Sequence, residues 1–301
     1  MKQFIQMCNF KKSEIWTIEK PISEIIKRKI EAKGTPLKDW DININRGILT
    51  GYNKAFIIPT EIRRQILTNC QTQSEAKYTA EIIRPILRGR DIKKYGYVWS
   101  NLWIISTFPA RHYDINKFPA LRDYLLSHGI ERLEQTGETH IINGEKIKSR
   151  KKTRNKWYET QDQINYWEDF LKPKIMYPNM TKFLPFYYDE KGFYQNDKSF
   201  MITGESIAYL TAFFNSSLFK FCFLNNFPEL LGGTREVRKV FFEKIPVLKV
   251  SAETNQEFIK VVKDIQQEYT KEKAIRIDKM IFDLYDLNEE ERKIIGFIDI
   301  N

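Results

Sequence analysis

The sequence predicts a mixed α+β fold, and three observations carry that prediction. Runs such as VWSNLWIIST and KPKIMYP are rich in β-branched and aromatic residues, as buried strands are. From Gly204 to Leu224 the apolar residues Ile207, Leu210, Phe214, Leu218 and Phe221 recur at helical spacing. A hydrophobic content of 42%, with 14% aromatics, belongs to a globular chain. The 301 residues suit two domains or one large domain with appendages. A chain of that length buries roughly three quarters of its unfolded surface, so neither disulfides nor a structural metal are needed.

In chain order, residues 1–45 read as an entry segment: Trp16, then a short amphipathic helix with Ile22, Ile25, Ile26 and Ile30. GILTGYNKAFII, residues 47–58, predicts two short strands around a tight turn whose glycines permit positive φ. Residues 61–67 suit a helical turn or two. In AEIIRPILRGRDIKKYGY, Pro85 blocks a continuous helix. Residues 98–107 read as a buried strand and 118–128 as a helix with Leu121, Tyr124 and Leu125 on one face. From Gly129 to Lys156 the chain is polar, charged and poor in apolar residues. A strand follows at 172–178, then a hairpin FYYDEKGFYQ turning at 190–192, the 204–224 helix, and a loop leading to a short strand in LGGTREVRKVFFEKIPV. After Pro246, Phe258, Val262, Ile265 and Tyr269 trace one helix and residues 277–284 another. Asn288 with Glu291 opens a last helix in the manner of a capping box. The organisation expected is an entry segment (1–45), a main domain (46–250) and a C-terminal helical subdomain (251–301).

Cys8, Cys70 and Cys222 are widely spaced and include no C-x-x-C pair, which points to buried thiols in a reducing cytoplasm. MKQFIQMCNF is too polar to open a secretory signal. The most apolar stretch, around residues 207–224, is interrupted by Asn215, Ser216, Ser217 and Lys220, so it reads as a core helix and no membrane partner is expected. A formal net charge of +10 favours polyanionic partners.

Catalytic signatures find little footing. GILTGYNKAF has neither the P-loop nor the dinucleotide-binding spacing. His112, His128 and His140 make no ligand set, and no G-x-S-x-G occurs. Three Glu-x-Lys tripeptides follow no Pro-Asp strand, so they define no nuclease core. The N-P-P-Y or D-P-P-Y pocket that amino methylation of a flipped base requires is not written here. No catalytic residue, metal ligand or cofactor site is therefore assigned.

Binding is better supported. Between Lys146 and Lys156 stand seven basic residues (Lys146, Lys148, Arg150, Lys151, Lys152, Arg154 and Lys156) with no acid among them. Successive cations neutralise successive phosphates, and Trp157 and Tyr158 beside them suit sugar packing or base stacking. The competing reading is a solvated loop. Two further clusters, Arg84, Arg88, Arg90, Lys93 and Lys94, and Arg235, Arg238 and Lys239, favour a groove. Thr50, Asn53 and Lys54, at the tip of the expected hairpin, are candidates to reach a backbone or base edge.

GILTGYNKAFII, EIIRPILRGRDIKKY, KWYE, KPKIMYP, FYQNDKSFMI, YLTAFFNSSLFKF and FFEKIPV occur in one order. From about Trp16 to Val250 that order resembles the TaqI-like C-terminal specificity domain of Type IIG (Eco57I-type) restriction-modification enzymes. The ending IDKMIFDLYDLNEEERKII is similar to the helical close of those enzymes. The resemblance implies a sheet-rich DNA target recognition domain with helices packed on it. Its parent would be an S-adenosylmethionine-dependent adenine-specific DNA methyltransferase or type II restriction enzyme. That cofactor, and Mg2+ if the parent cleaves, would sit on parts outside this chain, since in the family N-P-P-Y lies upstream. The implied partners are double-stranded DNA and a methyltransferase domain, in the same polypeptide or as a separate subunit. Gly47, Gly51, Asn53, Lys54, Ala55 and Phe56 match one family landmark, and Arg88, Gly89, Arg90 and Asp91 another, with Arg90–Asp91 either an ion pair or a DNA contact. Trp157, Tyr158, Lys174, Tyr177 and Pro178 match a third, which adds Lys174 to the candidate DNA contacts. The variable base-reading region would be the polar segment 129–156. The other expectation is an assembly module with weak DNA binding of its own, which would leave an apolar stripe exposed on the helices after Ser251.

Overall fold

Two four-stranded sheets organise the computed structural model, which describes residues 21–297. Trp16 and Cys8 lie outside the described residues. The first sheet is antiparallel throughout, in the order Tyr187–Asp189, Lys174–Pro178, Ser199–Gly204, Ile42–Arg46. Its register places Ile175 opposite Ile202 and Ile202 opposite Ile44, three apolar side chains of one large core. The second sheet runs Tyr194–Gln195, Ile83–Leu87, Leu102–Ile105, Ile57–Pro59, with only the first pairing parallel.

FYYDEKGFYQ does not form the expected hairpin. Tyr187–Asp189 and Tyr194–Gln195 belong to different sheets. Asp189 causes the switch: its carboxylate accepts from the amides of Lys191 and Phe193, at 3.0 Å each. The turn it builds carries the chain out of the first sheet, and Ile48, Ile86, Phe108, Phe170, Tyr194 and Met201 share a core cluster there.

GILTGYNKAFII does not form a hairpin either. Residues 47 and 48 run beside 195–199, through Gly47 N–H to Ser199 O at 2.9 Å and Ile48 N–H to Gln195 O at 2.8 Å. A Cβ on Gly47 would stand 2.1 Å from Asn196 O, so this close approach explains the glycine. A short helix, Asn53–Phe56, then buries Ala55 and Phe56 before the edge strand Ile57–Pro59 begins.

The expected 204–224 helix is two, Ile207–Asn215 and Ser217–Phe223, bent by 69°. Ser216 breaks it: its Oγ accepts from Phe219 N–H at 3.1 Å and caps the second helix. Among the described residues no single helix is long and apolar enough to cross a membrane.

The helices expected after Ser251 are present as Ala252–Gln267, Lys271–Leu284 and Glu289–Ile295, the last opened by an Asn288–Glu291 capping box. Their buried residues Phe258, Val262, Ile277, Ile281 and Phe282 share a core with Tyr209 and Phe213. These helices do not stand apart from that core. Nor is a stripe left open: the exposed large hydrophobics beyond Ser251 among the described residues are Tyr269, Ile294 and Phe297.

Candidate nucleic-acid interface

One residue of the basic run faces inward and shapes the rest. Arg150 is 4% exposed. Its guanidinium donates to four main-chain carbonyls: Leu133 O at 2.8 Å, Thr50 O at 2.9 Å, Glu159 O at 2.7 Å and Trp157 O at 2.5 Å. Burial draws its pKa down to about 10, and the nearby Glu159 pulls the other way. Gly51, at φ 76°, passes close enough that a Cβ would lie 2.8 Å from Arg150 Cδ. Arg150 thus fastens the loop to the chain at Thr50.

Amides complete the scaffold. Gln135 Nε2 donates to Lys156 O and Glu159 O, and its Oε1 accepts from Thr153 Oγ1 at 2.9 Å. Asn155 Nδ2 donates to Thr160 O and Gln161 O. Lys156 N–H donates to Glu159 Oε2 at 2.7 Å. Because these contacts hold main-chain atoms, the side chains of Lys151, Lys152, Arg154 and Lys156 are left exposed.

The polar segment before this loop contains a two-stranded ribbon, Thr139–Ile142 with Glu145–Lys148, turning at Asn143 (φ 50°) and Gly144 (φ 82°). Asn-Gly with both φ positive is the turn that matches strand twist. Cross-strand pairing sets Lys148 opposite Thr139 and Lys146 opposite Ile141, so one face of the ribbon carries both lysines. Arg132 holds the base, donating to Lys148 O at 2.9 Å with its guanidinium 5.0 Å from the Tyr52 ring centre. Ribbon and loop together expose six cations (Lys146, Lys148, Lys151, Lys152, Arg154 and Lys156), and none has a carboxylate within ion-pair distance among the described residues.

Other expected site residues fall elsewhere. Lys174 is fully buried: its Nζ sits 2.5 Å from Asp189 Oδ2 and 2.6 Å from Phe170 O. Burial lowers its pKa, Asp189 opposes that, and no phosphate can reach it. Thr50 is buried, its Oγ1 donating to Asn53 Oδ1 at 2.7 Å, so it reads no base. Asn53 and Lys54 are exposed beside the Arg150 anchor. Arg88 is turned inward against Asp91, through Nε to Oδ2 and Nη2 to Oδ1, both at 2.9 Å. The internal pair is thus Arg88–Asp91, and Arg90 stays exposed. Burial pushes the Asp91 carboxyl up, but hydrogen bonds from Arg88 and Ser100 outweigh it and hold it below its ordinary value. Trp157 packs half-buried on a cluster that includes Phe56, Ile105, Leu121 and Tyr158, edge-on to Tyr158 at 5.4 Å, while Tyr158 Oη donates to Tyr113 O. Both are anchors of the loop. Of the third cluster, Arg235 pairs with Glu229, Arg238 with Glu236 and Lys239 with Glu243, leaving it largely self-neutralised.

Residues 84–247 match the model of the TaqI-like C-terminal specificity domain, more than half of the chain. The chain belongs to this family. The TaqI-like match takes in the RGRD, KWYE, KPKIMYP and FFEKIPV landmarks and begins after GILTGYNKAFII. The specificity domain is the non-catalytic, DNA-recognising part of restriction-modification enzymes. No curated protein matches the chain. Among solved structures it is similar to the type IIG restriction endonuclease BpuSI, at 11% identity and TM-score 0.48 over 89% of this chain and 34% of that one. It is similar also to the type IIL restriction-modification enzyme MmeI in complex with DNA, at 12% identity and TM-score 0.53 over 84% and 34%. The chain spans about a third of the length of each. At such identity the MmeI likeness concerns the TaqI-like fold alone.

Proposed function

We propose that this chain reads a specific sequence in double-stranded DNA and presents the duplex to an N6-adenine methyltransferase module, in the same polypeptide or as a separate subunit. The observation that carries this reading is the set of six exposed cations without carboxylate partners, on a ribbon and loop whose main chain is held by Arg150, Gln135 and Asn155. Cations on a fixed backbone neutralise phosphates without the cost of ordering the loop that carries them. Lys151, Lys152, Arg154 and Lys156 hold phosphates and set register. The ribbon tip and its Thr139–Lys148 face enter the major groove, which admits a two-stranded ribbon, and polar side chains there read base edges. MmeI, a neighbour in fold, is described in complex with DNA, which agrees with this use of the architecture. S-adenosylmethionine, and Mg2+ if the parent cleaves, belong to the methyltransferase and nuclease parts. Such a protein works in the cytoplasm, where the DNA is.

Selection from a random duplex pool by the chain, followed by sequencing, tests the reading. Enrichment of one short motif is expected, with Lys146 or Asn143 variants altering which motif emerges. A pool that remains random after repeated rounds refutes sequence recognition.

A further inference from the structure

A second basic surface lies away from the loop described above and uses none of its residues. Between the 89–94 stretch, the 178–185 loop and the bend at Ser216 opens a cleft of about 930 Å³. Six cations line it (Arg90, Lys93, Lys94, Lys182, Lys198 and Lys220), and no carboxylate does. Two are engaged: Lys198 with Asp197 at 3.0 Å, and Lys93 with Arg90 O at 3.0 Å. Arg90, Lys94, Lys182 and Lys220 have no carboxylate within ion-pair distance among the described residues. Lys94 is held where charge is costly. Desolvation lowers its pKa to about 8, Lys220 adds to the shift, and Asp278 partly offsets it. A cation so placed gains from an arriving anion.

Apolar surface accompanies the charge. Phe183 and Met180 line the cleft, and Phe183 is 85% exposed. Met180–Thr181 pairs with Thr234–Glu236, which pairs with Glu229–Leu230, and the turn beyond carries Leu231 at 99% exposure. Asn179 is also in the lining, and its Oδ1 is buried without a hydrogen-bond partner. Asn215 and Ser216 offer nothing further, because their side chains are spent on main-chain groups. Cations without acids beside an exposed aromatic ring match a nucleotide freed from its stack. A paired base in duplex DNA has no face to offer such a ring.

We infer that this cleft binds an unstacked nucleotide unit, its phosphate on Arg90, Lys94 and Lys220 and its base against Phe183. The site goes beyond the duplex-holding face, and the two are separable by variant. The 301-residue chain is titrated with a fluorescent single-stranded oligonucleotide, with dAMP as competitor, and separately with a fluorescent duplex. Phe183→Ala removes an exposed ring, so the fold survives and a thermal melt checks it. Loss of one base stack weakens single-strand binding by about 5- to 150-fold. Lys94→Gln with Lys220→Gln weakens it comparably, and neither variant changes duplex binding more than about twofold. Lys151→Gln, Lys152→Gln and Arg154→Gln together give the opposite pattern, so failure of the duplex reading does not disguise failure of this one. Competition by dAMP supports the site with a free nucleotide as its source, and competition only by oligonucleotide supports it with an unpaired strand. Single-strand binding that is indifferent to Phe183→Ala overturns the inference, because charge alone then accounts for it.

Discussion

Salt dependence offers the most quantitative check on the ribbon and loop. Neutralising three of the six exposed cations, with Lys151→Gln, Lys152→Gln and Arg154→Gln, halves the charge available to phosphates. Each phosphate contact contributes about −0.9 to the slope of log K against log salt, so six contacts give about −5.4 and three about −2.7. Between 50 and 200 mM salt the unaltered chain then loses affinity by roughly three orders of magnitude, and the triple variant by only about 40-fold. Arg150 is left out of the count because its guanidinium is spent on four carbonyls. Anisotropy titrations of one fluorescent duplex across that salt range measure both slopes. A slope shallower than about −2 in the unaltered chain, or one that the triple variant leaves unchanged, refutes the assignment of these cations to phosphates.

Other expected outcomes concern the scaffold. Arg150→Met removes the guanidinium donor from the carbonyls of Leu133, Thr50 and Trp157, while Glu159 O keeps Gln135, and costs about 3–5 kcal/mol of stability. Urea denaturation measures it, hydrogen exchange over residues 133–160 locates it, and a cost under about 1 kcal/mol would count against the anchor. Lys174→Met strands Asp189 as an uncompensated buried charge and costs about 3–5 kcal/mol, while the salt slope of duplex binding stays unchanged. Asp91 has a folded pKa below its unfolded value, so its stabilisation is present above about pH 4 and fades as pH falls through the folded value. Asp91→Asn should flatten that part of the acid unfolding curve; an unchanged curve would show that Asp91 is not the group responsible.

Much of the architecture was legible because its signals are local. The Lys174–Pro178 strand, the helix near 118–128 and the capping box at Asn288 each announce themselves within a few residues. The basic run was legible as charge, but the inward turn of Arg150 was not. It depends on carbonyls at Thr50 and Leu133, which only the fold brings near. Lys174 misled for a similar reason. A lysine in an apolar strand reads as a surface residue or a ligand contact until Asp189 is found opposite it across the sheet. The hairpin at residues 190–192 failed because turn chemistry fixes a turn and not the sheet the chain enters next. Ser216, between two apolar stretches and capping the second, was a visible signal of the helix break. The cleft was half visible: Arg90, Lys93 and Lys94 stand in one basic cluster, but Lys182, Lys198 and Lys220 are scattered along the sequence and only the fold brings them beside it.

The clamp around Arg150 grips peptide carbonyls and is indifferent to the side chains on the residues it grips. The outward positions 151, 152, 154 and 156 are thereby uncoupled from the integrity of the loop that displays them. A lineage can exchange those residues one at a time without re-solving the folding problem. The same uncoupling makes the loop a cassette: transplanted with Arg150, Gln135 and Asn155 intact, it can carry new outward residues into a related scaffold.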